Sequence, residues 1–144
     1  MRISVATDGS DSADRAVDFA AKLAHELKSG LKIIHVINME TLPSGQLQDY
    51  ARQEHVTLGE ILNSFAEEKL TAARRRAEAL GVSHIQLESP FGDVAQTVID
   101  AARRDETDLI VVGKRGRGRL SGLILGSVSQ KVVSLAPCAV VVVP

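Results

Sequence analysis

The residues best suited to chemistry stand in one stretch, Gly113-Lys114-Arg115-Gly116-Arg117-Gly118-Arg119-Leu120-Ser121-Gly122-Leu123-Ile124-Leu125-Gly126-Ser127. It carries five glycines and, at Lys114, Arg115, Arg117 and Arg119, four positive charges. Glycine admits positive φ and lets backbone N–H groups approach phosphate oxygens with no Cβ in the way. Gly126-Ser127 then reads as the opening of a helix, whose unpaired N–H groups and positive dipole end favour an anion. Together these features suit a polyphosphate. A second polar group, Asp8-Gly9-Ser10, follows the first apolar run. Asp8 suits either a turn or a ligand contact, while Ser10 and Asp11 suit a helix start. Ser127 suits a helix cap or a phosphate contact.

Familiar nucleotide and metal signatures are absent. No glycine is followed by Lys-Ser or Lys-Thr, so there is no P-loop. The dinucleotide pattern begins at Gly116 and Gly118 but meets Ser121, and it follows the fourth apolar run instead of the first. His25, His35, His55 and His84 are scattered without ligand spacing, although His35 is placed to border a pocket. Cys138 reads as a buried, inert thiol and Arg74-Arg75-Arg76 as a solvated face. A phosphoacceptor receiver needs an acidic cluster that Asp8 lacks in its turn, and a pyrophosphatase-type loop would need Ser-Gly-Gly-x-Asp-Ser. No general base has a distinctive spacing, so hydrolysis of a bound polyphosphate is expected to be slow or absent. The basic glycine-rich stretch also suits a nucleic-acid or protein interaction module, but Phe19, Tyr50, Phe65 and Phe91 all lie outside it, so stacking partners for RNA are missing.

The elements that must position these residues follow from periodicity. Ile3 to Thr7 is a strand, Ser12 to Lys28 a helix ended by Gly30, and Leu31 to Ile37 a strand apolar enough for burial on both faces. Asn38 to His55 reads as a long loop with room for a partial helical turn, and as the lid candidate. A helix from Val56 to Leu80 follows, with Leu58, Ile61, Leu62, Phe65, Ala72, Ala73 and Leu80 on one face. His84 to Glu88 is a strand, Gly92 to Arg104 a helix, Asp108 to Gly113 a strand, Ser127 to Leu135 a helix and Cys138 to Val143 a strand. This alternation predicts an α/β fold, a doubly wound five-stranded parallel sheet with helices on both faces. For strand order 3-2-1-4-5 the switch point lies between the first and fourth strands, so Asp8 and the chain after Gly113 would share one crevice.

Length and composition set the frame. The 144 residues, 44% apolar and 24% charged, are expected to form one domain over residues 1–144. A single cysteine and no secretory or membrane-spanning run point to the cytoplasm. Seventeen basic residues against 18 acidic ones leave a net charge of −1, yet four of the 17 fall within six positions of the glycine-rich stretch. The near-neutral average hides a local anion site.

The pattern of glycine, two residues, glycine, nine residues, glycine and a hydroxyl residue, met by Gly113, Gly116, Gly126 and Ser127, resembles the universal stress protein family. So do Val5-Ala-Thr-Asp8-Gly-Ser10, Ile34-His-Val36, Asp108 to Gly113, Gly126-Ser-Val-Ser129 and Ala136-Pro-Cys-Ala-Val140. The departures are Lys114 and Arg115 after the first glycine and Ala139 after Cys138. The resemblance implies the order 3-2-1-4-5 and, in the ATP-binding branch, phosphate contacts at Gly113, Gly116, Gly126 and Ser127, with Ser129 beside them. It implies ribose or Mg²⁺ at Asp8 and adenine at Val36. It further implies a nucleotide-binding regulator in the stress response and a homodimer through the strand Ala139 to Val143. That strand, β-branched and uncharged, would be a hazard as an uncovered sheet edge. The protein partner that reads the nucleotide state is not encoded in any recognisable motif.

Overall fold

The structure is a computed structural model that describes residues 1–38, 45–116 and 124–144. Its elements run β1 (Ile3–Ala6), α1 (Asp11–Glu26), β2 (Leu31–Ile34), α2 (Gln46–Gln53), α3 (Leu58–Ala79), β3 (Ile85–Glu88), α4 (Val94–Arg104), β4 (Leu109–Gly113), α5 (Ser127–Leu135) and β5 (Ala139–Val143). The strands form one sheet in the order β3-β2-β1-β4-β5, and every neighbouring pair is parallel. Ile3 stands opposite Leu31 on one side and Leu109 on the other, so the carboxyl ends of β1, β2 and β4 emerge together.

Alternation along the strands sends successive side chains to opposite faces. Val5, Ile33 and Val111 meet Ala16, Val17, Ala20 and Ala24 of α1 and Leu70, Ala73 and Ala77 of α3. On the other face Ile34, Ile110 and Val112 meet Val98, Ala101 and Ala102 of α4 and Val132 of α5. The alanines set the helices close against the sheet. No helix among the described residues is long and apolar enough to cross a membrane.

Three readings of the sequence change. The segment expected as a long loop contains α2, a two-turn helix in which only Ala51 is buried. Residues 39–44 of that segment lie outside the described residues. The strand expected to reach Ile37 ends at Ile34, where its ladders with β1 and β3 stop at Ala6 and Glu88; a bridge from Ile37 to Phe91 follows. The third change concerns α3, which starts at Leu58 behind a Thr57–Glu60 capping box. Its buried stripe is Ile61, Leu62, Ala66, Leu70, Ala73 and Ala77, and Phe65 and Ala72 are exposed.

At the β2–β3 edge, Lys32 pairs with both Glu88 and Asp105, and Arg104 bonds the same two carboxylates at 2.8 and 2.9 Å. The Arg104 hydrogen bond leads, and with Lys32 it outweighs burial to hold the Asp105 carboxyl down to about 2. At Glu88 burial pushes the carboxyl up, but the hydrogen bonds and charges of Lys32 and Arg104 more than offset it, so this pKa is lowered as well. Depressed carboxylates add stability above their unfolded pKa of about 4, and that stability is lost as pH falls towards the folded value. The Lys32 side chain is 15% exposed, which places the network between surface and buried pairs. Lys32→Met is therefore expected to cost about 2 kcal/mol at pH 7. In urea unfolding at pH 7 and at pH 3 the gap to wild type should narrow at the lower pH; an unchanged gap contradicts this account of the network.

Candidate functional site

The site is built where β1, β2 and β4 end. After β1 the chain turns at once: Asp8 Oδ1 accepts from the Ser10 N–H at 2.9 Å, and Gly9 takes φ 76°. Ser10 is the N-cap of α1, its Oγ accepting from the Ala13 N–H at 3.2 Å, as the sequence has it. Asp8 thus serves the turn through Oδ1. Its Oδ2 lies 2.7 Å from where a Cβ on Gly116 would stand, so the absence of a side chain at Gly116 is what lets the two loops meet.

Beyond β4, backbone and hydroxyl groups tie the glycine-rich segment down. The Lys114 N–H donates to the Val143 carbonyl at 2.6 Å, and the Gly126 N–H donates to the Lys114 carbonyl at 2.8 Å. Ser129 is buried, and its hydroxyl donates to the carbonyls of Lys114 and Gly126 at 2.9 and 3.0 Å. With its proton so directed, Ser129 fastens this loop. Gly126, not Ser127, is the N-cap of α5; it sits at φ −69° and ψ 165°, and Ser127 is the first helical residue. A glycine cap brings no side chain to the N-terminal N–H groups, so α5 opens on its own backbone donors.

The three glycines of the spaced pattern are not there for positive φ, which none of them adopts. Gly113 answers to packing: a Cβ there would lie 2.6 Å from Ser12 Oγ, 2.9 Å from Ser12 C and 3.0 Å from Ala13 N. That clash is with the first turn of α1. At Gly126 the nearest atoms to a Cβ stand at 3.4 Å, ordinary contact.

Asp8, Val36, Gly113, Gly116, Gly126, Ser127 and Ser129 all line one cavity of about 540 Å³. Arg115 also lines it, while Arg117, Gly118, Arg119, Ser121 and Gly122 lie outside the described residues. His35 borders it, as expected, and its Nδ1 donates to the Thr7 carbonyl at 2.8 Å. Two contributors escaped the sequence reading. One is the α3 face of Leu62, Phe65 and Lys69, whose spacing of three and four was the available signal. The other is Asp93, the N-cap of α4, whose Oδ1 accepts from the Gln96 N–H at 2.9 Å and from Lys131 Nζ at 3.0 Å. Those bonds, the Gln96 one foremost, lower its pKa.

Among the described residues no three His, Cys, Asp or Glu side chains gather into a metal cage. One carboxylate facing a backbone cradle is a different arrangement, and it fits Mg²⁺, which is commonly held by one or two carboxylates, waters and the ligand's phosphates.

Residues 1–144 match the profile of the Universal stress protein family. The chain belongs to the universal stress protein family. It is 33% identical over 141 residues to Universal stress protein YxiE of Bacillus subtilis, covering 96% of this chain and 95% of that one. Among solved structures of the family, UspA from Lactobacillus plantarum superposes with a TM-score of 0.79 at 27% identity, over 99% of this chain and 96% of that one. A universal stress protein solved in complex with cAMP superposes with a TM-score of 0.69 at 29% identity, over 99% of this chain and 94% of that one. The five parallel strands in the order 3-2-1-4-5 are the fold of the family.

Proposed function

We propose that the chain binds an adenine nucleotide across the carboxyl ends of β2, β1 and β4, with ATP and Mg²⁺ as its physiological form. The observation that carries this reading is the polarity of the cavity. On the β2 side it is walled by Val36, Ile37, Leu62 and Phe65; on the β4 side it ends at Gly116, Gly126 and Ser127; Asp8, from β1, stands between. Strands lie about 4.8 Å apart, so β2 to β4 is about 10 Å, the reach of a base, a sugar and a phosphate laid side by side. The volume of about 540 Å³ falls within the usual range for small-molecule sites. The cAMP complex of a family member supports an adenine nucleotide as the ligand class.

In this arrangement Val36 backbone meets the base and Asp8 meets the ribose or the metal. Gly116 and Ser127 present N–H groups to phosphate, Gly126 leaves the start of α5 open to it, and Gly113 and Ser129 hold the loop that carries them. Bound Mg²⁺ would supply charge neutralisation between Asp8 and the phosphates. Among the described residues the carboxylates lining the cavity are Asp8, which accepts from the Ser10 N–H, and Asp93, which accepts from Gln96 and Lys131, and these bonds favour a binding role for both. The chain is accordingly a nucleotide-binding regulator of the stress response in the cytoplasm, with slow or no hydrolysis, read by a protein partner. The direct test is to denature the purified protein and chromatograph what is released. An adenine nucleotide is expected; no released nucleotide together with no binding of millimolar ATP and Mg²⁺ rejects the reading.

The same proposal extends to a homodimer through β5. This strand is an edge of the sheet, with Val140 to Val143 only half-buried, and α5 adds exposed Val133 and Leu135. A two-fold mate would cover both the backbone edge and the apolar side chains. Light scattering at micromolar concentration is expected to give twice the chain mass, and a monomer mass contradicts the dimer.

A further inference from the structure

Phe65 is the anomaly of α3. Its neighbours Leu62 and Ala66 are buried with Ile37 in a small apolar cluster beneath the β2 end of the cavity. Phe65 sits beside them with 45% of its surface exposed and is part of none of the core clusters formed by the described residues. Yet it lines the cavity, on the same helix face as Leu62 and Lys69. A chain with only 3% aromatic residues thus keeps one on the wall of this cavity, outside the core clusters formed by the described residues. The side of the cavity it occupies carries Val36, Ile37 and Leu62 with the polar His35, Asn38 and Lys69 among them, across Asp8 from Gly116 and the start of α5.

We infer that Phe65 is a specificity-determining residue, the surface on which the base of the nucleotide stacks, and that it biases the site towards purines. This rests on the nucleotide reading above and adds a residue to it. An aromatic ring attracts any base through its π face, and the two-ring purine covers more of it than a pyrimidine does. Leu62 supplies the floor, so the stacked base is screened from water on its inner edge. The contact is made with the base alone, and it is indifferent to how many phosphates follow.

The test is a titration of ATP and of CTP, each with Mg²⁺, into the wild-type chain, Phe65→Ala and Phe65→Tyr. Phe65 is exposed, so the alanine variant is expected to keep the wild-type circular dichroism spectrum and urea midpoint. Its affinity for ATP should fall by about 5- to 150-fold. The preference for ATP over CTP should shrink, and Phe65→Tyr should retain both. Wild-type ATP affinity in Phe65→Ala overturns the stacking role, and equal losses for ATP and CTP overturn the purine bias. If ATP binding survives in Phe65→Ala but is lost in Gly126→Asp, the nucleotide reading stands and the stacking inference alone fails. A wild-type chain that binds neither nucleotide removes both.

Discussion

Gly113→Val is expected to fail as a folded protein before it can fail as a binding protein. The added Cβ alone would press to 2.9 Å from Ser12 C and 3.0 Å from Ala13 N, which are backbone atoms of the first turn of α1 and cannot rotate away. Ser12 Oγ, at 2.6 Å, can rotate, but it donates to the Val143 carbonyl and accepts from the Arg115 N–H, so moving it loosens the end of β5 and the phosphate-side loop together. The branched methyls of valine add to the conflict. Overpacking of this kind costs typically 1–3 kcal/mol and sometimes more, and we expect about 3 kcal/mol in urea unfolding. Gly113→Ala should show a smaller loss in the same direction. A Gly113→Val chain with the wild-type urea midpoint would contradict the close approach of β4 to α1.

Gly126→Asp is expected to do the opposite, keeping the fold and losing the ligand. The N-cap backbone at φ −69° and ψ 165° suits aspartate, and a Cβ there meets nothing nearer than 3.4 Å. The new carboxylate can accept from the N–H groups of the first turn of α5 and lies at the positive end of its dipole. Helix stability should rise by a few tenths of a kcal/mol, since glycine is already a fair cap. The same carboxylate takes the position proposed for phosphate and adds a like charge, so ATP affinity should fall about 100-fold, equivalent to about 2.8 kcal/mol. A raised or unchanged melting temperature with lost ATP binding separates this variant from Gly113→Val. Unchanged ATP affinity would show that the start of α5 is not where phosphate sits.

The sequence carried the doubly wound sheet because β4 is an unbroken apolar run, β1 and β2 are interrupted only by Ser4 and Lys32, and the helices between them show alanines at helical spacing. It carried the crevice because a spaced glycine pattern and Asp8 fall at the ends of adjacent strands. What it left out has physical causes. The helix α2 buries only Ala51, so it leaves almost no periodic apolar signal to read. Phe65 was assigned to the buried face because a large aromatic near Leu62 fits a 100° stripe; only the packing of Ala66 and Leu70 places the stripe one step away and turns Phe65 towards the cavity. The glycine pattern was legible, but its three members proved to answer to different neighbours: α1 at Gly113, Asp8 at Gly116 and an open helix start at Gly126. Spacing marks such residues without saying which duty each performs. Asp93 lies 85 positions from Asp8 in sequence and reaches the same cavity only through the parallel crossover that brings the start of α4 to that edge.

Calorimetric titration of ATP with Mg²⁺ into the wild-type chain, with Gly126→Asp as its partner experiment, tests the central claim most directly. Saturable binding at one site per chain is expected in the wild type, with a roughly 100-fold weaker interaction in a Gly126→Asp chain of undiminished stability. A wild-type chain freed of nucleotide that gives no saturable heat, or a Gly126→Asp chain that binds ATP as the wild type does, would contradict it.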